Sequence, residues 1–303
     1  MSSLVTIIVP TLNRHKELKE RSLPSIFKQT YKNWELIIVN DGGAIVNNVK
    51  DANILNLAEN HGKSYCVNLA VKMSKGEYIL VVDDDNALHE KYLEMAVETI
   101  ERESEKETKW SNSEWHALNT GRIVYHKGYT DYAPAYYQQG LGFAAIDWGC
   151  LIRKKVFDVI QYDETLFGDE DADFGIQFYK HFRAYALDAA LQYAWANNTG
   201  VSYPSKKRLE SLKRFYEKNW QEYEEAGPKD LAFLNRFYAR NFYLAGHKKE
   251  ANKYFWKAFK AWPTRRTATH FLVSLINYKS YYNLMRIEEK YYSAKRMKNL
   301  WKK

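Results

Sequence analysis

The feature that most constrains this chain is an alternation over its first hundred residues. Short apolar runs at Leu4 to Val9, Trp34 to Val39, Asn53 to Leu57 and Tyr78 to Val82 are separated by segments with helical periodicity. Each run is too short for a buried helix and rich in β-branched or aromatic residues, so each reads as a strand, and Tyr78 to Val82 as a central one covered on both faces. The first intervening helix carries Leu18, Leu23, Ile26 and Phe27, and Pro24 inside it is expected to split it. The second sets Cys66, Leu69, Ala70 and Met73 on one face and closes at Lys75-Gly76; a third runs from Glu90 to Ile100. Strand and helix in alternation predict right-handed βαβ units and a doubly wound, mostly parallel sheet.

Each strand ends in a polar cluster: Thr11 to Arg14, Asn40 to Gly43, Asn60 to Lys63, and Asp83 to Asn86. One such cluster is a turn. Four on the carboxyl rim of one parallel sheet predict a ligand site, because that rim is where such sheets bind ligands. The last cluster holds three consecutive carboxylates. If the strand continues, alternation points Asp83 and Asp85 the same way and Asp84 the other. Converging carboxylates repel unless a positive charge lies between them, and a divalent cation is the usual remedy. The alternative is a polar turn ending the strand, with Asp83 or Asn86 capping the next helix.

Further on, Thr120 to His126 reads as a strand. The Tyr-rich stretch from Lys127 to Gly142 reads either as a mobile loop over the cleft or as an ordinary surface loop. Phe143 to Ile152 reads as a strand carrying Asp147-Trp148-Gly149. A second acidic run, Asp169 to Asp173, opens a helix with Phe174, Ile176, Phe178 and Tyr179. After residue 204 the pattern is helical. Ala251, Tyr254, Phe255, Ala258, Phe259 and Trp262 form one amphipathic stripe, preceded by a helix from Leu231 to Ala245 that ends at Gly246. The pair resembles a single tetratricopeptide-type unit without a second copy at the repeat spacing, so a helical hairpin is expected rather than a solenoid.

Charge marks a boundary near residue 200. Of the net +8, residues 201–303 carry +15, from 24 Lys and Arg against 9 Asp and Glu, leaving residues 1–200 at −7. The acidic part, 1–200, suits a metal site; the basic helical extension, 201–303, suits an anionic surface. No nucleic-acid motif accompanies the basic excess, so nucleic acid is not an expected partner. Two cysteines, Cys66 and Cys150, form neither a disulfide framework nor a metal-ligand spacing and point to a reducing compartment. The N-terminus reads as a strand rather than a signal peptide, and no apolar stretch reaches spanning length.

Two ordered stretches carry a family resemblance: TIIVPTLNRHKELKERSLPSIFKQTYKNWELIIVNDGG, followed by ENHGKSYCVNLAVKMSKGEYILVVDDDN. Together with the later DWGCLIRKKVFDVIQYDETLFGDEDADF, they resemble a family 2 glycosyltransferase of the GT-A fold over roughly residues 4 to 180. The resemblance implies inverting transfer of a hexose from a UDP-sugar. On that likeness Pro10, Thr11, Asn13 and Arg14 cup the base and ribose, Asp41 reads the uracil or ribose, and Asn60, Gly62 and Lys63 complete the nucleoside pocket. Asp83 and Asp85 become the motif for Mn²⁺ or Mg²⁺, with Asp84 beside the sugar or ribose. Glu170 and Asp171 match the acidic pair at a helix start. Asp171 then takes the place of the catalytic base, Asp173 being the alternative if the register shifts, while Asp169 and Asp173 complement the helix start. Trp148 either stacks on an acceptor sugar or belongs to the core; with Gly149 and Glu170 it marks the acceptor side.

One departure is visible. Many relatives carry a metal- or diphosphate-binding His after the second half, and the corresponding NNTGVSYPSKKR has none, leaving Ser202, Tyr203, Lys206 or a water to complete the shell. His181, His247 and His270 fall in helical patterns and are expected on the surface or in the core. The implied partners are a UDP-sugar and a saccharide or lipid-linked saccharide acceptor, in surface glycan or polysaccharide assembly. The expected place is the cytoplasm, with peripheral contact at the inner face of the plasma membrane through the basic helices. A rival is a non-catalytic nucleotide-sugar or carbohydrate-binding module that recruits partners through its tail, but such a module has no need of both Asp85 and Asp171. A nucleotidyltransferase would want a Gly-rich basic loop that PTLNRHKELK lacks.

Overall fold

The computed structural model describes residues 2–105, 114–127, 129–133, 135, 146, 149–196 and 205–300, with the backbone alone at 289, 290 and 292–300. The first three parallel strands are β1 (Val5–Thr11), β2 (Trp34–Asn40) and β3 (Ala52–Asn56), followed by β4 (Tyr78–Val81). Between them run α1 (His15–Glu17), a π turn (Leu18–Ser22), α2 (Leu23–Phe27) and α3 (Lys63–Met73). Pro24 does not end the helical path. It lies in the first turn of α2, where its missing N–H is tolerated, and the π turn precedes it.

Beyond β4 come β5 (Ala87–Leu88), α4 (Tyr92–Glu105), β6 (Ala117–His126), β7 (Tyr129–Ala133), β8 (Leu151–Arg153), α5 (Glu170–His181) and β9 (Ala184–Trp195). The strands form one sheet in the order β3-β2-β1-β4-β8-β6-β9-β5, with β7 paired to β6. The β3-β2-β1-β4 half is parallel, as expected from the alternation. The other half is mixed: β8 runs antiparallel to β4 and β6, β5 antiparallel to β9, and β6 parallel to β9.

Alternate residues of each central strand enter opposite cores. Val5, Ile7, Val9, Tyr78, Leu80 and Val82 pack with Leu18, Ile26, Tyr92, Ala96 and Ile100 on one face. Ile8, Ile79 and Val81 pack with Cys66, Ala70, Phe174 and Phe178 on the other. Both faces are therefore covered, which is why the strands read as unbroken apolar runs.

Several expectations change. Of the expected strand from 143 to 152, the described residues show strand at Leu151–Arg153, and 143–145, 147 and 148 lie outside them. Within the Tyr-rich stretch expected to be loop, Tyr129 to Ala133 pairs with β6 as a strand, while 136–145 lie outside the described residues. Both β9 and the two-residue β5 are additions.

Chain contacts divide the molecule into two compact units. One holds β1 to β9 and α1 to α5; the other holds Thr165–Asp169 and the helices α6 (Lys206–Glu225), α7 (Pro228–Leu244), α8 (Lys248–Ala261), α9 (Arg265–Ile276) and α10 (Tyr278–Leu300). Within the helical unit Ala251, Phe255 and Ala258 of the expected stripe are buried, and Trp262 is exposed. Asp169, the residue before α5, has its carboxylate in a buried two-pronged pair with the Arg208 guanidinium of α6. Among the described residues no helix is long and apolar enough to cross a membrane.

Candidate active site

The four rim clusters meet through side-chain bonds at the carboxyl ends of β1, β2 and β4. Thr11 is the last residue of β1, and its Oγ1 donates to Asp84 Oδ2 at 2.7 Å. Arg14 reaches the same turn, its Nη1 donating to Asp84 Oδ1 at 3.1 Å and to Asp85 Oδ2 at 2.7 Å. From the start of α3, Lys63 Nζ donates to Asp83 Oδ1 at 2.6 Å. The β4 ladder stops at Val81, so the three aspartates occupy a turn and not a continuing strand. The strand alternation expected for them does not apply: Asp84 and Asp85 share Arg14, and Asp83 belongs to Lys63.

The second rim loop closes on the third. Asp41 is buried, and its Oδ1 and Oδ2 accept the backbone N–H groups of His61 and Gly62 at 2.7 and 2.8 Å. It thus fixes the path into α3 and the place from which Lys63 projects. Gly42 has φ +88, and a Cβ there would lie 3.1 Å from the backbone carbon of Glu59, so the two loops approach as only glycine allows. Asn13 Oδ1 accepts from the Ala44 N–H at 3.1 Å and ties the first loop to the second. Pro10 is a buried strand residue in register with Val39, and Asn60 is exposed.

Electrostatics joins this rim to the second acidic run. Burial would lower the pKa of Lys63, but the carboxylates of Asp83, Glu170 and Asp171 outweigh it and raise it, so the ammonium stays charged. Glu170 is buried and Asp171 half-buried in the first turn of α5, where Asp171 Oδ1 accepts the Ala172 N–H at 2.8 Å. Asp173, the alternative to Asp171, is 1% exposed. Burial is also the main reason Asp84 is pushed up to about 6, against the opposing pull of Thr11 and Arg14. Asp85 is raised by the same cause.

A divalent cation fits the donor chemistry of this turn, whose consecutive aspartates offer hard carboxylate oxygens; neighbouring carboxylates add to the upward shifts of Asp84 and Asp85, which burial dominates. Among the described residues no three His, Cys, Asp or Glu side chains gather around one point. Asp83 and Asp85 therefore supply two carboxylates at most, each already held by a cationic side chain.

Sequence reasoning missed Arg21. Its Nη1 donates to the backbone carbonyl of Asp85 at 3.1 Å, and its guanidinium lies 4.6 Å from the ring centre of Trp195, which packs on Tyr125. The available signal was spacing: Arg14 and Arg21 are seven residues apart, two helical turns, hence on one face. Gly149 is tied into the core, donating its N–H to Val81 O at 2.7 Å and accepting from Gln192 Nε2 at 2.9 Å and from the Tyr92 hydroxyl. Trp148, Ser202 and Tyr203 lie outside the described residues. Lys206 is exposed on α6; His270 is buried, whereas His181 and His247 are exposed.

Known proteins place this architecture. TarP of Staphylococcus aureus (strain N315), a poly(ribitol-phosphate) β-N-acetylglucosaminyltransferase, is 39% identical over 101 residues, covering 30% of this chain and 31% of that enzyme. The matched stretches of two pneumococcal glycosyltransferases, GlyG and GlyA, likewise span only 36% and 32% of those proteins. In fold, residues 1–349 of S. aureus TarS align with a TM-score of 0.60 at 18% identity, covering 96% of this chain and 91% of that one. The mannosyltransferase PcManGT of Pyrobaculum calidifontis, in complex with GDP-Man and Mn²⁺, aligns with a TM-score of 0.57 at 17% identity, covering 100% and 88%. The sequence profile described as glycosyl transferase family 2 matches residues 6–159, half of the sequence, and the chain belongs to that family.

Proposed function

We propose that this chain is an inverting glycosyltransferase that moves a hexose from a UDP-sugar to a saccharide hydroxyl in surface glycan assembly. Residues 1–200 are the catalytic domain and 201–303 a basic helical extension. The observation that carries the reading is Lys63. One ammonium is bonded to Asp83 on the donor turn and lies in the field of Glu170 and Asp171, so the two acidic motifs share one site. TarS has been crystallised with UDP-GlcNAc, and PcManGT with GDP-Man and Mn²⁺, which supports a nucleotide-sugar donor and a divalent metal.

In this reading Pro10, Thr11, Asn13, Asp41, Asn60 and Gly62 shape the nucleoside pocket, and Arg14 and Lys63 face the diphosphate. Asp83 and Asp85 would hold Mn²⁺ or Mg²⁺. When bound, the cation supplies positive charge against the developing charge of the departing diphosphate. Arg14 and Lys63 add fixed positive charge of the same sense, and Asp84, locked by Thr11 and Arg14, holds the turn beside the sugar.

Asp171 is the proposed catalytic base. Its Oδ1 is anchored on the Ala172 N–H, which fixes the carboxylate. It takes the proton of the acceptor hydroxyl as that oxygen bonds to the anomeric carbon. The bond from that carbon to the diphosphate oxygen breaks, and its electron pair leaves with UDP. A single displacement of this kind inverts the carbon. Glu170, Gly149 and Trp148 belong to the acceptor side. Exposed Leu272, Leu275, Ile276, Tyr278 and Ile287 on the basic helices α9 and α10 support peripheral contact with the cytoplasmic face of an anionic membrane.

The test is a panel of UDP-, GDP- and dTDP-sugars, each with and without Mn²⁺, followed by release of the nucleotide and by the anomeric configuration of the product. Turnover confined to UDP-sugars, dependent on metal and with inversion, is expected. Binding and turnover of no nucleotide-sugar refutes the reading.

A further inference from the structure

The helical unit carries a charge cluster that sugar transfer does not use. On α7, Arg236 and Arg240 lie one turn apart on the same face; on α9, Arg266 and His270 do the same. The register of the helices is pinned. The Tyr243 hydroxyl of α7 donates to the Ser274 carbonyl of α9 at 3.1 Å, and the rings of Tyr243 and Tyr281 of α10 meet at a tilt with centres 4.6 Å apart. His270 Nδ1 bonds the Tyr281 hydroxyl at 2.9 Å. Counting back along α7 and α9 from that tie, at about 1.5 Å per residue, brings Arg240 level with His270 after roughly 5–6 Å, and Arg236 level with Arg266 after roughly 10–12 Å.

Glu288 of α10 faces this cluster, and it is already committed. Its Oε2 accepts from Arg266 Nη2 at 3.3 Å and bonds His270 Nε2 at 3.1 Å. Arg236 is half-buried, and among the described residues it makes no hydrogen bond or ion pair, only a ring contact with Phe233 at 5.7 Å. Burial first and Arg266 second push its pKa down to about 10, with Glu288 and Tyr281 pulling the other way and Arg240 adding to the depression. Arg236 thus stands beside two further guanidinium groups, while Glu288 is held by Arg266 and His270. A desolvated arginine without a partner is costly, and its planar fork matches a phosphate better than any other common group.

We propose that Arg236, Arg240 and Arg266 form a phosphate-binding site on the helical unit that takes a phosphate ester. The inference stands independently of the sugar-transfer reading. The same chemistry reaches the site from a soluble phosphate ester or from the headgroup of an anionic lipid.

The test uses the full chain, with inorganic phosphate titrated at ionic strength held constant by chloride, and read by melting temperature and calorimetry. Phosphate is expected to raise the melting temperature by several degrees. Arg236→Met removes an unpaired, half-buried charge, so it is expected to melt higher than wild type without phosphate and to lose at least about tenfold in phosphate affinity. Arg240 is exposed, so Arg240→Gln leaves the fold intact and is expected to weaken phosphate several-fold. Lys229→Gln, an exposed change at the start of the same helix, is expected to change nothing. Phosphate acting no differently from chloride overturns the proposal, as does equal weakening by Arg240→Gln and Lys229→Gln. So does an Arg236→Met protein that melts lower yet keeps its phosphate response. Vesicles of phosphatidylglycerol against phosphatidylcholine separate the sources: a lipid ligand requires Arg240-dependent binding to the former, and a soluble ester requires phosphate binding without it.

Discussion

Replacing Asp84 by Asn tests whether the acidic turn stores unfavourable charge. Asp84 is 5% exposed, and its folded-state pKa stands at about 6 against an ordinary 3.8, mainly through burial. A carboxyl whose folded pKa is raised binds an extra proton when folded between roughly pH 4 and 6, so stability falls as pH rises through that window. At about 1.4 kcal/mol per unit, the ceiling on this cost is about 3 kcal/mol above pH 6. Asn keeps an oxygen for Arg14, which retains Asp85, and the Thr11 hydroxyl can turn to accept from the new amide. The swap still exchanges a charged for a neutral hydrogen bond, leaving a net gain of about 1–2 kcal/mol. Urea denaturation in a chelator at pH 7.5 is thus expected to find Asp84→Asn more stable than wild type. At pH 4.5, where the wild-type carboxyl is protonated, the gap closes. A variant that is less stable at pH 7.5, or a gap of equal size at both pH values, refutes the reasoning.

Three further outcomes follow from named contacts. Gly149→Ala places a Cβ 2.4 Å from Gln192 Oε1 at φ +75, and denaturation is expected to show a loss of about 1–3 kcal/mol. Asp169→Ala strands the buried Arg208 guanidinium and is expected to cost about 3–5 kcal/mol, part of which Arg208→Met restores in the double variant. Lys63→Met leaves Asp83, Glu170 and Asp171 without their common cation. Calorimetry is expected to find UDP affinity reduced by more than about tenfold, or roughly 1.4 kcal/mol; unchanged affinity removes Lys63 from the diphosphate.

The parallel half of the sheet was legible because β1, β2 and β4 are buried on both faces and announce themselves as apolar runs. The rim clusters followed from the alternation alone. β9 was not legible: Ala-Tyr-Ala-Leu-Asp-Ala-Ala-Leu-Gln-Tyr-Ala-Trp is alanine-rich, half-buried and held by pairing with β6, a long-range contact with no local signature. The acidic turn misled because the apolar run extends to Val82 while the ladder stops at Val81, and one residue decides whether side chains alternate. Asp41 was expected to read the uracil or ribose, and nothing in the sequence signalled that both its oxygens also hold the loop that presents Lys63. For Asp169, read from the sequence only beside the helix it precedes, no local pattern could foretell the buried pair with Arg208, 39 residues on.

In the proposed reaction Asp83 to Asp85 hold the donor while Asp171 takes the proton, the two joined through Lys63. Calorimetric UDP binding and sugar transfer, measured side by side for Asp171→Asn with Mn²⁺ present, separate the two roles. Transfer is expected to fall by at least about a thousandfold while UDP affinity stays within about threefold of wild type. Transfer that survives, or UDP binding that collapses together with it, contradicts the assignment of Asp171 as the base.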